Sequence, residues 1–371
     1  MCGSAEDMRP LSRRRFLGGA LGAAAAGPFA GCGIHGRRLD ELDPRVPALL
    51  DSTTSVDFHT HAAGAGSARV PKFDLADHMR RGHLTAVCLC HSADGPVIHR
   101  PSGGGRIQQY RDPAPGELYA HTERRLAFMD ALVSDYGMTR VLTPEDLEAA
   151  RIARKPALIG NIEGCQFMDG RLERIAEVYG RGIRHLQLIH YMLSDLGDQQ
   201  TEAPRWGGLT PLGADVVREC NRLGIVVDVA HATYEVVQRV ATVSAVPFVL
   251  SHTSLARGPL GTYSRLISVD HARLMADVGG VIGVWPSGSQ FVDAREWIGG
   301  IARMVDAAGI DHVGIGTDME GGVHEVWDDY ADLPAVADLL LTQGFSPEEA
   351  AKVMGGNYVR VFRQAVAARR G

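Results

Sequence analysis

Cysteine is scarce and badly spaced for cross-linking: the chain holds six in 371 residues, with no CxxC pair and no regular interval. That excludes a disulfide scaffold and a cysteine-built structural zinc module. Cys88 and Cys90 fall two apart on one expected strand, on the same side but poorly placed to pair. With Cys165 and Cys220 they read as small buried hydrophobes. A surplus of basic residues is missing too, since 38 Lys and Arg face 44 Asp and Glu for a formal charge of −6. Phosphate binding depends on clustered cations, so nucleic acid is set aside as a partner. No internal repeat is evident, and the apolar stretch Gly18 to Ala30 is too short to span a bilayer stably.

That stretch belongs to an N-terminal segment, residues 1–32, unlike the rest of the chain. Ser12-Arg13-Arg14-Arg15-Phe16-Leu17 is a twin-arginine pattern ahead of a short Gly- and Ala-rich core, which reads as an export signal. Phe29-Ala30-Gly31-Cys32 resembles a lipobox, with Cys32 as the acylated residue and the sole expected attachment to a membrane. Loss of residues 1–31 removes four Arg and two acidic residues and moves the charge from −6 to −8. The expected location is the periplasm or cell envelope, reached by the twin-arginine route. Residues 33–53 read as a linker, and 54–371 as one domain.

Within that domain short β-branched runs alternate with longer amphipathic stretches, the pattern of a parallel sheet with crossover helices. Eight runs stand out: Val56 to His59, Leu84 to Cys90, Ala157 to Glu163, Arg184 to His190, Ile225 to His231, Pro247 to His252, Val281 to Trp285 and His312 to Asp318. Eight strands close a barrel, so the expected fold is α/β, a (β/α)8 TIM-like barrel. Pro211 to Leu223 is an expected helix, with Thr210 as cap, Pro211 at the first position and Gly224 as terminator. Residues 91–156 form an insertion after the second strand, helical over Glu117 to Tyr136, and residues 334–368 are expected as helices packed back across the barrel.

The chemistry sits at the ends of the runs. His59 and His61 follow the first, Glu163 closes the third, His190 the fourth, His231 the fifth, His252 the sixth and Asp318 the eighth. In such a barrel the C-terminal strand ends converge on one face, so these residues share a pocket. Imidazole and carboxylate suit Zn²⁺. His59 and His61 are spaced to chelate one ion, and the two oxygens of Glu163 suit a bridge between two. Ions so held would acidify a water into a nucleophile and polarise a carbonyl. Asp318, in Gly314-Ile315-Gly316-Thr317-Asp318, is placed as the acid/base.

At these residues the sequence resembles the renal, or membrane, dipeptidase family, peptidase family M19 of the amidohydrolase superfamily. Asp57-Phe58-His59-Thr60-His61, Ile162-Glu163-Gly164, Gly182-Ile183-Arg184 through His190, Asp228-Val229-Ala230-His231, Ser251-His252-Thr253-Ser254, Gly314 to Asp318 and Gly355-Gly356-Asn357-Tyr358 occur in the family's order. The resemblance implies two zinc ions per chain, bridged by Glu163, one also held by His59 and His61 and the other by His231 and His252. It implies hydrolysis of dipeptides, including those with a D-residue, by metal-activated hydroxide. His190 would support the carbonyl oxyanion and Asp318 would shuttle the proton. Arg265, or its rival Arg257, would bind the substrate carboxylate. His61 departs from the family's His-x-Asp pair and removes one negative charge from the first zinc's shell. Cys165 and Tyr191 depart as well. The departures keep open a different amide or a lactone as substrate, and a non-catalytic metal-binding lipoprotein is a third reading. A homodimer is left open.

Overall fold

Eight runs of Val, Ile, Leu and Ala become strands because both of their faces are buried, one against the barrel interior and one against the surrounding helices. The strands are β1 (Val56–Thr60), β2 (Ala86–Ser92), β3 (Ala157–Glu163), β4 (Ile183–Gln187), β5 (Val226–Asp228), β6 (Val249–Thr253), β7 (Val281–Val284) and β8 (Val313–Ile315). Each pairs in parallel with its sequence neighbour. Beyond β8 the chain meets β1: the Asp318 N–H donates to the His59 carbonyl at 2.9 Å and the His61 N–H to the Met319 carbonyl at 2.8 Å. These bonds close the barrel. The computed structural model describes residues 34, 36–64, 74–102, 104–322 and 324–370. The expected export signal and Cys32 lie outside the described residues.

Three expected strands stop three residues before the end of their apolar runs. β4 stops at Gln187 rather than His190, β5 at Asp228 rather than His231, and β8 at Ile315 rather than Asp318. The residues that extend the runs, such as Leu188, Ile189, Val229 and Ala230, are buried in loops. A second difference lies in 33–53, expected as a linker. It carries a 3-10 turn, Leu39–Glu41, and a helix, Val46–Ser52, that buries Val46, Leu49 and Leu50. Apolar residues three and four apart make one face of that helix, so this segment is part of the body.

The helix Pro211–Leu223 forms as its sequence directs: the Thr210 hydroxyl accepts from the Gly213 N–H at 3.1 Å, and Gly224 ends it at φ 77°. After β2 the insertion contains an antiparallel pair, Ile98–His99 with Gln108–Gln109, and the helix Glu117–Asp135. A short strand, Thr139–Arg140, then pairs beside β3, and the helix Pro144–Ala153 follows.

The C-terminal helices return across the barrel. Asn357–Ala367 packs Tyr358, Val361 and Phe362 against Val56, Ala86, Ala157 and Val249 at the N-terminal strand ends. Asn357 donates to the Ile310 and Val313 carbonyls at 2.7 and 2.8 Å, which accounts for Asn357 and Tyr358 of the last motif. The opposite, C-terminal end of the barrel is thereby left for the polar residues. Glycine is required where β6, β7 and β8 meet, because a Cβ at Gly283 or Gly316 would lie 1.8 or 1.7 Å from the Ser251 carbonyl oxygen.

Candidate metal centre

The C-terminal strand ends gather five imidazoles and two carboxylates. Against β2, Asp57 pairs with Val87 but Thr60 pairs with Leu89, so β1 carries one extra residue. A bulge of this kind bends a strand and re-aims its side chains, and here it lies between Asp57 and Thr60, just ahead of His61. Glu163 is the last residue of β3 and faces Ser92 of β2 across the ladder. His252 lies within β6. His190, His231 and Asp318 each sit three residues beyond their strand, and two of them are strained, His231 at φ 68° and Asp318 at φ 53°. Non-glycine residues in this region cost about 1–3 kcal/mol each and cluster at functional sites.

Glu163 is the hub. Its Oε1 lies 3.2 Å from His231 Nε2, 3.6 Å from His59 Nε2 and 3.7 Å from His252 Nε2. Its Oε2 lies 3.0 Å from His190 Nε2 and 3.4 Å from His61 Nε2, and accepts from the Ser92 hydroxyl at 2.8 Å. Asp318 Oδ1 approaches His61 Nε2 at 3.3 Å and His59 Nε2 at 3.8 Å. The far ring nitrogens are held from outside: His252 Nδ1 by the Ser251 hydroxyl at 2.9 Å, His61 Nδ1 by the Cys90 carbonyl at 3.3 Å, and His190 Nδ1 by Asp94 Oδ1 at 2.6 Å. Outer partners of this kind orient metal ligands.

This donor set fits metal ions. His59 and His61 bring their Nε2 atoms to 3.2 Å of each other, and His231 and His252 theirs to 3.1 Å. One proton can bridge such a pair, but two neutral imidazoles beside a carboxylate present more lone pairs than their own protons satisfy. Among the described residues, three groups have potential ligand atoms that lie within 4.8 Å of one another: His59, His61, Cys90 and Glu163; His59, His252 and Asp318; and Glu163, His231 and His252.

The electrostatics agree. Burial pushes His59 and His231 well below the usual imidazole value and lowers His252, leaving neutral rings with free lone pairs. Burial also opposes charge on Glu163, but the surrounding imidazoles outweigh it and hold the carboxyl well below its usual range. On His61 burial again works against charge, while hydrogen bonds to Asp318 and Glu163 prevail and raise it to about 10. A proton there occupies the lone pair that a cation would take. His190 is raised as well, because Asp94 and Glu163 outweigh its burial. Its imidazolium is a hydrogen-bond donor. Behind the site, Asp57 accepts from the Thr317 N–H at 2.9 Å, and from the Thr317 and Tyr330 hydroxyls at 2.6 Å. Burial, partly offset by these bonds, raises it to about 6.

The site opens into a cavity of about 420 Å³ with His61, Glu163, His190, His231 and Asp318 in its lining and Ile98, His99 and Ile107 from the insertion. The two candidate arginines part company. Arg265 donates to Gln200 Oε1 at 2.6 Å, and its charge bears on Tyr191, His231 and His252. Arg257 is turned to the surface in an ion pair with Glu296 at 2.6 Å. Sequence reasoning missed Asp94, whose Oδ2 also accepts from the Tyr191 and Met192 N–H groups at 3.1 and 2.7 Å, and missed Ser92 and Cys90. The signal was there: His91-Ser92-Ala93-Asp94 ends the second apolar run as polar residues end the others.

Residues 45–371 match the profile of a family described as membrane dipeptidase, peptidase family M19. Among curated proteins, dipeptidase aclJ of Aspergillus oryzae is 29% identical over 224 residues, covering 56% of this chain and 51% of that protein. Dipeptidase tcpJ of Claviceps purpurea is 28% identical over 311 residues, covering 79% and 71%. The match thus spans about half the length of the first relative. Among solved structures, the probable dipeptidase PvdM from Pseudomonas aeruginosa superposes with a TM-score of 0.74 at 20% identity, over 88% of this chain and all of that one (100%). A metallo peptidase from Rhodobacter sphaeroides, liganded with a phosphinate mimic of the dipeptide L-Ala-D-Ala, gives 0.69 at 17%, over 84% and 99%. At these identities the structural likeness speaks for the barrel fold.

Proposed function

The chain belongs to the membrane dipeptidase family, peptidase family M19, and from that premise we propose that it hydrolyses dipeptides at a centre for two zinc ions. The observation that carries the reading is the pair of facing imidazole couples, His59 with His61 and His231 with His252, on either side of one buried carboxylate, Glu163. His59 and His61 would hold one ion, His231 and His252 the other, and Glu163 both. When bound, zinc supplies Lewis acidity, which activates water at neutral pH and polarises the scissile carbonyl.

The rest is done by side chains. Asp318, beside His59 and His61, accepts the proton of the attacking water and returns it to the leaving amine. His190, whose charged form Asp94 favours, offers Nε2–H to the carbonyl oxygen as negative charge develops there. Arg265 takes the free carboxylate of the substrate, a choice supported by the surface ion pair that Arg257 makes with Glu296. The free amino group would meet a metal or a nearby carboxylate, and a substrate held at both ends would be limited to two residues. The twin-arginine pattern and Cys32 support export to the periplasm or cell envelope with a lipid anchor, and that setting favours D-residue-containing or peptidoglycan-derived dipeptides. The ligand of the Rhodobacter sphaeroides structure, a mimic of L-Ala-D-Ala, supports the same class.

His61 in place of the family's aspartate favours a second reading, another amide or a lactone on the same site. Assay of the zinc-supplemented protein against L,L- and L,D-dipeptides, N-acyl amino acids and lactones separates the two. Turnover of dipeptides is expected; turnover confined to non-peptides would overturn the proposal.

A further inference from the structure

β2 shows two faces. Val87 and Leu89 join the core beneath the outer helices, whereas Ala86 and Cys88 belong to the cluster inside the barrel. Side chains alternate along a strand, so Cys90 and Ser92 continue the inner face. Ser92 confirms the direction, since its hydroxyl reaches Glu163 Oε2 at 2.8 Å. Cys90, one step deeper and fully buried, therefore points at the metal centre from below. Its Sγ, one ring nitrogen each of His59 and His61, and a Glu163 oxygen all lie within 4.8 Å of one another. Zinc bonds run about 2.3 Å to sulfur and 2.0–2.1 Å to nitrogen, so the spread is one that side-chain adjustment can close.

Resting on the two-ion reading above, we propose that Cys90 is a ligand of the ion held by His59 and His61, supplying as thiolate the negative charge that His61 does not. As the sulfur–metal bond forms, the S–H bond breaks and its proton passes to solvent. The first ion then has two neutral imidazoles, a shared carboxylate and one thiolate. That restores the charge of a shell with an aspartate at position 61. Thiolate is also a soft donor that selects zinc over harder divalent ions. Cys165 is no rival, because among the described residues it belongs to no group of potential ligand atoms; its thiol donates to the Gln187 carbonyl at 3.5 Å, and that of Cys90 to the His91 carbonyl at 3.7 Å, a contact that metal binding would replace.

The test uses the full chain stripped of metal and reloaded with cobalt(II), with binding counted separately from colour. A sulfur-to-cobalt charge-transfer band in the near ultraviolet is expected in the wild type and in Cys165→Ala, and is expected to vanish in both Cys90→Ala and Cys90→Ser. Calorimetric titration in two buffers should show fewer protons released by the Cys90 variants, and their affinity for the first ion should fall at least about tenfold, the loss that follows removal of even outer partners. Adding His61→Asp to Cys90→Ala should recover that affinity without recovering the band. Cobalt bound at two per chain with no such band, or a band that survives in Cys90→Ala, would overturn the assignment while leaving the metal centre intact. A chain that binds no cobalt would overturn both.

Discussion

A single contact decides how His190 works. Its Nδ1 meets Asp94 Oδ1 at 2.6 Å, and Asp94 is itself buried and fixed by two backbone N–H groups. A carboxylate in that position sets the ring's orientation and favours its charged form, which is the form able to donate to an oxyanion. Asp94→Asn preserves shape and the backbone contacts but removes the charge. The expected result is a fall in kcat of roughly 100–1,000-fold, the loss that follows removal of one oriented donor, with KM little changed. The basic limb of the kcat profile should also move to lower pH, because His190 would lose its proton earlier. A variant with unchanged pH limbs would show that Asp94 only shapes the loop.

At the scale of elements, burial and pairing must be kept apart. The strand-end pattern located Glu163 and His252 because they lie within strands, whereas His190, His231 and Asp318 follow buried loop residues that look like strand in sequence. An apolar run reports burial; it does not report hydrogen-bond partners. Cys90 was illegible for another reason: what it reaches depends on which way β2 faces, and two of that strand's inward residues are cysteines, whose ordinary reading is filler. The helix Val269–Asp277 shows a cost of burial away from the site. His271 lies on its buried face, its Nε2 has no hydrogen-bond partner among the described residues, and burial lowers it to about 4. An unfolded histidine titrates near 6.5. The neutral ring's contribution is therefore fully present above about pH 6.5 and is lost as pH falls toward about 4, amounting to roughly 3 kcal/mol at 1.36 kcal/mol per pH unit. Denaturant titrations across that window should show a shallower loss of stability in His271→Leu than in the wild type. Equal slopes would mean that other groups govern acid unfolding.

The whole molecule brings the first and last strands together, and the site depends on that closure. His59 and His61 leave β1 while Asp318 follows β8, and the two Asp318–His59 and His61–Met319 backbone bonds place them side by side. Ring closure follows from eight alternating units and was legible in the sequence. The packing of Val46–Ser52 against the body was not, because one short amphipathic turn ahead of the first strand carries little pattern. With Glu163 on β3, His231 after β5 and His252 on β6, metal ions held here would tie together four strands that are distant in sequence. Ions that bind the folded chain and not the unfolded one add stability of about 2.7 kcal/mol for free metal at 100 times Kd. Chelation should consequently lower Tm by several degrees, and readdition of zinc should restore it. The change should grow with free zinc concentration, as mass action requires. A Tm identical with and without chelator, in protein shown to have lost its metal, would mean that the centre contributes nothing to holding the strand ends together.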